Sequence, residues 1–154
     1  MPVLSGSRTL YRLIYSSRQQ IPPADLEHEV GAIIRASIRN NRDVAITGLL
    51  LVYEGYFLQA LEGPAEAVVT TYRRILDDTR HEGAKVLIAG PAATREFADW
   101  NMCARRMTPG DDAILDTLNA RKLFQPETFS GPAALRLLKV VRAIQDRTQT
   151  ALPG

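Results

Sequence analysis

The stretch VAITGLLLVYEGYFLQALEG, Val44 to Gly63, holds two runs of apolar and β-favouring residues separated by Glu54-Gly55. Two such runs broken by a glycine-bearing dipeptide read as a β-hairpin. The second run contains an oddity: Gln59 sits among Phe57, Leu58, Ala60 and Leu61. Strand alternation puts Phe57, Gln59 and Leu61 on one side and Tyr56, Leu58 and Ala60 on the other, and neither side is plainly wet. A primary amide carries two donors and an acceptor oxygen, and leaving them unpaired in an apolar interior costs about 1 to 3 kcal/mol. Gln59 is therefore expected to have a partner.

Outward from the hairpin, TLYRLIYS (Thr9 to Ser16) reads as a central strand, ended by the breaker QQIPP. Asp25, Glu27 and Glu29 suit a helix start, and Leu26, Val30, Ile33, Ser37 and Ile38 recur at helical spacing, so a helix is expected to end near Arg39 to Asp43. Gly63-Pro64 stops the second hairpin strand and opens another helix, with Val68, Tyr72, Ile75 and Leu76 at helical intervals. AKVLIAG reads as a buried strand and REFADWNMCARRM as the next. The order β1α1β2β3α2β4β5 predicts an α+β, ferredoxin-like sandwich with antiparallel pairing and both helices on one face. AILDTLNARKLF and AALRLLKVVRAIQDR predict two additional C-terminal helices. Leu135, Leu138, Val141 and Ile144 form part of a wide apolar face there, to be buried on the open side of the sheet or in a subunit contact. The last residues, TQTALPG, are expected to fray.

A chain of 154 residues, 45% apolar, suits one domain with a real core. The net charge of +2 arises from 19 basic and 17 acidic residues spread along the chain, which does not indicate nucleic acid. One cysteine, Cys103, excludes an internal disulfide framework and a Cys/His metal cluster. No stretch has the roughly 18 to 20 apolar residues of a membrane span, and the N-terminus lacks a signal peptide's apolar core, so a soluble cytoplasmic protein is expected.

Catalytic motifs are scarce. His28 and His81 have no metal or dyad spacing; Asp77-Asp78 and Asp111-Asp112 sit at helix ends and read as solvated or capping; no glycine-rich phosphate loop is present. What remains is a set of hydrogen-bonding side chains on core elements: Asn40 and Asn41 closing the first helix, Gln59 in a strand, and Tyr15 ending the first strand. Each has an ordinary explanation, as helix C-cap, satisfied core amide or amphipathic core tyrosine. Together they suit a planar heterocycle.

LYRLIYSS, RNNRDVAITGLL, FLQALEG, YRRILDDTRH and DWNM stand in an order that resembles the BLUF family, sensors of blue light using FAD, over about residues 10 to 107. The resemblance implies a photosensory domain over residues 9–107, a helical extension over 108–150, and FAD in a site between the two core helices, with FMN or riboflavin as alternatives. It assigns Asn41 to the O4/N3 edge of the ring, Asn40, Arg74, His81 and Arg80 to the O2 side, ribityl chain or phosphates, and Ile33, Phe57, Ile75 and Ser37 to the walls. Tyr15 and Gln59 become the photochemical pair. Light-driven electron and proton transfer from Tyr15 through Gln59 would leave the amide rotated or tautomerised, change the hydrogen bonds at flavin O4 and N5, and shift absorption to the red. Trp100 and Met102 would carry the signal through the last strand to the C-terminal helices. The resemblance implies a photoreceptor without its own catalytic output domain, forming a homo-oligomer and addressing a separate effector such as a cyclic-dinucleotide phosphodiesterase. The residues alone also admit a ferredoxin-like protein-interaction module without flavin. RNA binding is disfavoured, because the basic and aromatic strand pattern that stacks bases is missing.

Overall fold

A computed structural model of the chain describes residues 9–53, 55–98, 103–106 and 125–151. Strand β1 (Leu10–Gln19) leads through a single 3-10 turn at Pro23–Asp25 into α1 (Leu26–Asp43). The hairpin comes next as β2 (Thr47–Tyr53) and β3 (Tyr56–Pro64), with Gly55 between them at φ 84°, a left-handed conformation that costs glycine nothing. Then come α2 (Ala65–Leu76), β4 (His81–Pro91), β5 (Cys103–Arg106), a second 3-10 turn at Pro126–Thr128, and α3 (Gly131–Ala151).

The strands form one sheet in the order β4-β1-β3-β2-β5. The first four are antiparallel, the ferredoxin-like arrangement. β5 is not: it runs parallel to β2. The expected antiparallel pairing holds for the four ferredoxin-like strands and does not extend to β5, for a topological reason. The chain leaves β4 at one end of the sheet and enters the opposite edge from that same end, so β5 must run against β4, which is the direction of β2.

Strand alternation divides the core in two. Leu13, Tyr15, Leu50, Phe57 and Leu61 face one way and pack with Val30 and Ile33 of α1 and Val68, Tyr72 and Ile75 of α2. Ile14, Leu49, Leu51, Leu58 and Ala60 face the other way and pack with Phe97 and with Ala134, Leu137, Leu138 and Val141 of α3. Leu135, which helical spacing places on α3's apolar face, is only partly buried against that cluster. The side chain of Ile144 and the helix expected over 113–124 lie outside the described residues.

Several boundaries differ from the sequence reading. β1 runs three residues past Ser16, because Ser17 and Arg18 still pair with Phe57 and Tyr56. Arg95 to Ala98, read as the start of the last strand, is non-repetitive. There the backbone N–H groups of Glu96 and Phe97 donate to the Glu62 carboxylate at 2.9 and 3.0 Å instead of to a strand neighbour. α3 continues to Ala151, through residues expected to fray. Among the described residues no helix is long and apolar enough to cross a membrane.

Gly48 fixes how closely the hairpin strands meet: a Cβ built there lies 2.0 Å from the carbonyl oxygen of Ala60. No backbone rotation of β2 alone relieves such an overlap inside a paired sheet. Gly48→Ala is therefore expected to lower unfolding free energy by about 2 to 3 kcal/mol in urea melts. An unchanged midpoint would contradict the close approach.

Candidate functional site

Tyr15 and Gln59 are register partners on β1 and β3, in the middle of the sheet. The Tyr15 hydroxyl donates to Gln59 Oε1, and the two residues are 2% and 3% exposed. The phenol is wedged between aromatic neighbours, with the Tyr72 ring centroid at 5.2 Å and the His81 ring at 6.2 Å. Burial above all, helped by the nearby Tyr72 and Asp78, pushes the Tyr15 phenol far above the usual tyrosine range. Tyr15 thus stays protonated and can donate, and in this structure Gln59 turns its oxygen toward the hydroxyl.

His81, the first residue of β4, is tied at both nitrogens. Nε2 lies 2.7 Å from the carbonyl oxygen of Ile75, and Nδ1 lies 2.7 Å from Ser17 Oγ. A carbonyl only accepts, so Nε2 carries hydrogen, and in a neutral ring Nδ1 accepts from the serine hydroxyl. The imidazole therefore pins the end of α2 to β1 two residues beyond Tyr15.

Between α1 and α2 opens a cavity of about 310 Å³. Ile33, Ser37 and Asn40 line it from α1, Thr71, Arg74 and Ile75 from α2, and Gln59 and Leu61 from its floor. A smaller space of about 40 Å³ shares Ile33, Ser37, Gln59 and Ile75 and reaches inward to Tyr15, Phe57 and His81. The result is a slot with isoleucine walls on two helices and a hydrogen-bonding end. At its mouth Asp78 accepts from Arg80 Nη2 at 2.6 Å and from Arg80 Nε at 2.9 Å, and Arg80 Nη1 also lies 3.3 Å from Glu29. Hydrogen bonding to Arg80 is the main reason that the Asp78 carboxyl stays below the usual carboxylate range. Arg80 is thereby committed to carboxylates, whereas Arg74 lines the same mouth with an exposed side chain.

The structure brings Tyr15, Ile33, Ser37, Phe57, Gln59, Ile75 and His81 together around the inner space, and Asn40, Arg74 and Arg80 around the outer one. The side chain of Asn41, and Trp100 and Met102 altogether, lie outside the described residues. Sequence reasoning missed Asp78, which it read as solvated or capping, and gave Tyr72 no task beyond helix packing. The spacing of Asp78 and Arg80 was the available signal, legible only once a turn folds one side chain back onto the other.

Residues 10–103 match the profile of a family described as BLUF, sensors of blue-light using FAD. The chain belongs to the BLUF family. It is 37% identical over 139 residues to the photoactivated adenylate cyclase subunit beta of Euglena gracilis, an alignment covering 87% of this chain but 16% of that subunit. The BLUF protein BlrB in its dark state shares the fold at a TM-score of 0.72 and 30% identity, with 90% of this chain and 98% of that one covered. BlrP1 of Klebsiella pneumoniae, solved with FMN and cyclic diGMP, superposes at a TM-score of 0.61 and 30% identity, with 94% of this chain and 37% of that one covered. The slot suits the cofactor of a BLUF protein in kind. Its volume of about 310 Å³ falls in the range of small-molecule sites, Ile33 and Ile75 give it apolar surfaces on its two helices, polar side chains stand at its mouth, and its inner end offers an amide.

The raised Tyr15 pKa has a measurable consequence for stability. Below the ordinary tyrosine value of 10.0 the phenol is protonated folded or unfolded, and its contribution is whole. Above that value only the unfolded chain ionises, so stability falls as pH rises. Urea unfolding of Tyr15→Phe should lose less free energy than wild type as pH is raised through about 10. Equal losses would contradict the buried phenol.

Proposed function

We propose that this chain is a blue-light photoreceptor that binds FAD in the α1–α2 slot and uses Tyr15 and Gln59 as its photochemical pair. The observation that carries the reading is the buried hydrogen bond from Tyr15 to Gln59 Oε1 at the inner end of that slot. Ile33 and Ile75 would wall the ring, Ser37 and Phe57 would close the slot, and Asn40 and Asn41 would serve its polar edge. When bound, an excited flavin supplies a strong one-electron oxidant beside the phenol.

The chain's own residues govern how the proton moves. Burial holds Tyr15 neutral, so its proton departs only together with an electron, and the acceptor waiting for that proton is Gln59 Oε1. An amide that receives a proton at oxygen can release one from nitrogen. It can therefore finish rotated or tautomerised, with donor and acceptor ends exchanged relative to Tyr15. Each arrangement satisfies a different set of neighbours, which gives two distinguishable states from one side chain. Residues 9–107 form the photosensory unit in this reading and 108–150 its extension, with Trp100 and Met102 on the route to the C-terminal helices.

Output passes to an effector, such as a cyclic-dinucleotide phosphodiesterase or another regulator, from a homo-oligomeric sensor. The light-activated cyclase subunits of Euglena and BlrP1 with its cyclic diGMP support an effector of nucleotide chemistry. The choice of FAD over FMN rests on the family description, while BlrP1 was solved with FMN.

Purified holoprotein should be yellow, and its blue absorption band should move reversibly to longer wavelength under blue light; a flavin-free preparation would return the chain to the class of interaction modules. Gln59→Leu should keep the flavin and lose the shift. Because Arg80 is engaged by Asp78 and Glu29, phosphate contacts fall to Arg74. Arg74→Gln should weaken FAD binding about five- to tenfold while leaving riboflavin affinity nearly unchanged, as measured by fluorescence quenching titration.

A further inference from the structure

Three residues along β3 from Gln59, and on the opposite face of the sheet, stands Glu62, a carboxylate with 0% exposure. Arg12 Nε donates to its Oε2 at 2.8 Å, the Glu96 N–H lies 2.9 and 3.0 Å from its two oxygens, and the Phe97 N–H donates to Oε1 at 3.0 Å. A buried charge of this kind is tolerated only while its donors are in place.

Two of those donors belong to the segment between β4 and β5, and α3 grips the same segment from its other side. Arg142 Nη1 donates to the Glu96 carbonyl oxygen, and Lys139 Nζ lies 3.5 Å from Glu96 Oε1. The Phe97 ring is fully buried against the α3 cluster of Leu137, Leu138 and Val141. One contiguous path therefore leads from Gln59 along β3 to Glu62, across to Glu96 and Phe97, and into α3.

We propose that Glu62 is a positioning residue that couples the state of Gln59 to α3 by docking the 94–97 segment; this rests on the reading of Tyr15 and Gln59 as the light-driven pair. β3 is hydrogen-bonded to β1 and β2 along its length, and it gives Gln59 and Glu62 one continuous, well-supported connection. At the far end lies the docking contact, to which the proposal assigns a docked and a released state. The carboxylate either keeps both backbone N–H donors or loses them, because hydrogen bonds weaken steeply as distance and angle depart from ideal. Undocking would release Glu96 and with it the hold of Arg142 and Lys139.

The test is amide hydrogen exchange on flavin-loaded protein, in the dark and under blue light, with the absorption shift recorded on the same samples. In wild type the light-to-dark exchange ratio should depart from unity at Glu96, at Phe97 and along α3 by about fivefold or more. Glu62→Gln should show the same red shift, with the ratio along α3 returned to unity. A merely structural anchor would raise exchange in dark and light alike and leave the ratio as in wild type, which would overturn the proposal. If Glu62→Gln does not fold, Arg12→Gln removes one donor and spares the backbone pair. It should shrink the ratio along α3, and an unchanged ratio again overturns the coupling. A wild-type protein with bound flavin and no red shift overturns the photoreceptor reading as well, whereas a normal shift with no exchange change in α3 overturns the coupling alone.

Discussion

The hydrogen bond from Tyr15 to Gln59 joins two strands at the centre of the sheet, and much of the structure can be understood as what keeps it there. It exists because β1 and β3 meet in one register, with Tyr15 opposite Gln59 and both on the face covered by α1 and α2. A slip of one residue on either strand would send one of the two side chains to the α3 face. The hairpin that fixes β3 is held close by the contact of Gly48 with the Ala60 backbone. The aromatic wedge of Tyr72 and the His81 clamp between Ser17 and Ile75 then confine the phenol laterally. The amide is buried, a condition that would be costly if it stood alone. Its oxygen is paired here with the Tyr15 hydroxyl, which burial keeps protonated.

Most of this arrangement was legible in the residues. The two apolar runs around Glu54-Gly55 specified the hairpin, and the polar residue inside the second run pointed to a partner. The helices announced themselves by periodicity. The family order of the five motifs gathered Ile33, Phe57 and Ile75 into one set, and the slot brings them into one space. What was not legible depended on contacts distant in sequence. Arg80 looks like a free cation until Glu29 and Asp78 are folded against it. Nothing in the local sequence marks Glu62, whose partners are the backbone N–H groups of residues 96 and 97. The direction of β5 is set by which end of the sheet the chain crosses, something no local pattern encodes.

The sheet separates two tasks. One face holds the slot and its hydrogen-bonding floor; the other carries α3 on an apolar layer that includes Phe97. Between them run the buried residues of β3, with Gln59 on the slot side and Glu62 on the other. A polar contact crosses to the β4–β5 segment near the end of the strand, at Glu62, which is bonded to Arg12 and to that segment. The slot with its hydrogen-bonding floor and the α3 layer are thus on opposite faces of one sheet.

The measurement that bears most directly on the central claim is nuclear magnetic resonance of the Gln59 side-chain amide and the Tyr15 hydroxyl proton in flavin-loaded protein, in the dark and under blue light. In the dark, the Tyr15 hydroxyl proton should be protected from solvent exchange and shifted downfield by its hydrogen bond to Gln59 Oε1. Illumination should move the Gln59 amide signals together with the red shift of the flavin band, and both should return with the same time constant. A band that shifts and recovers while the Gln59 and Tyr15 signals stay where they were would contradict the assignment of the switch to this pair.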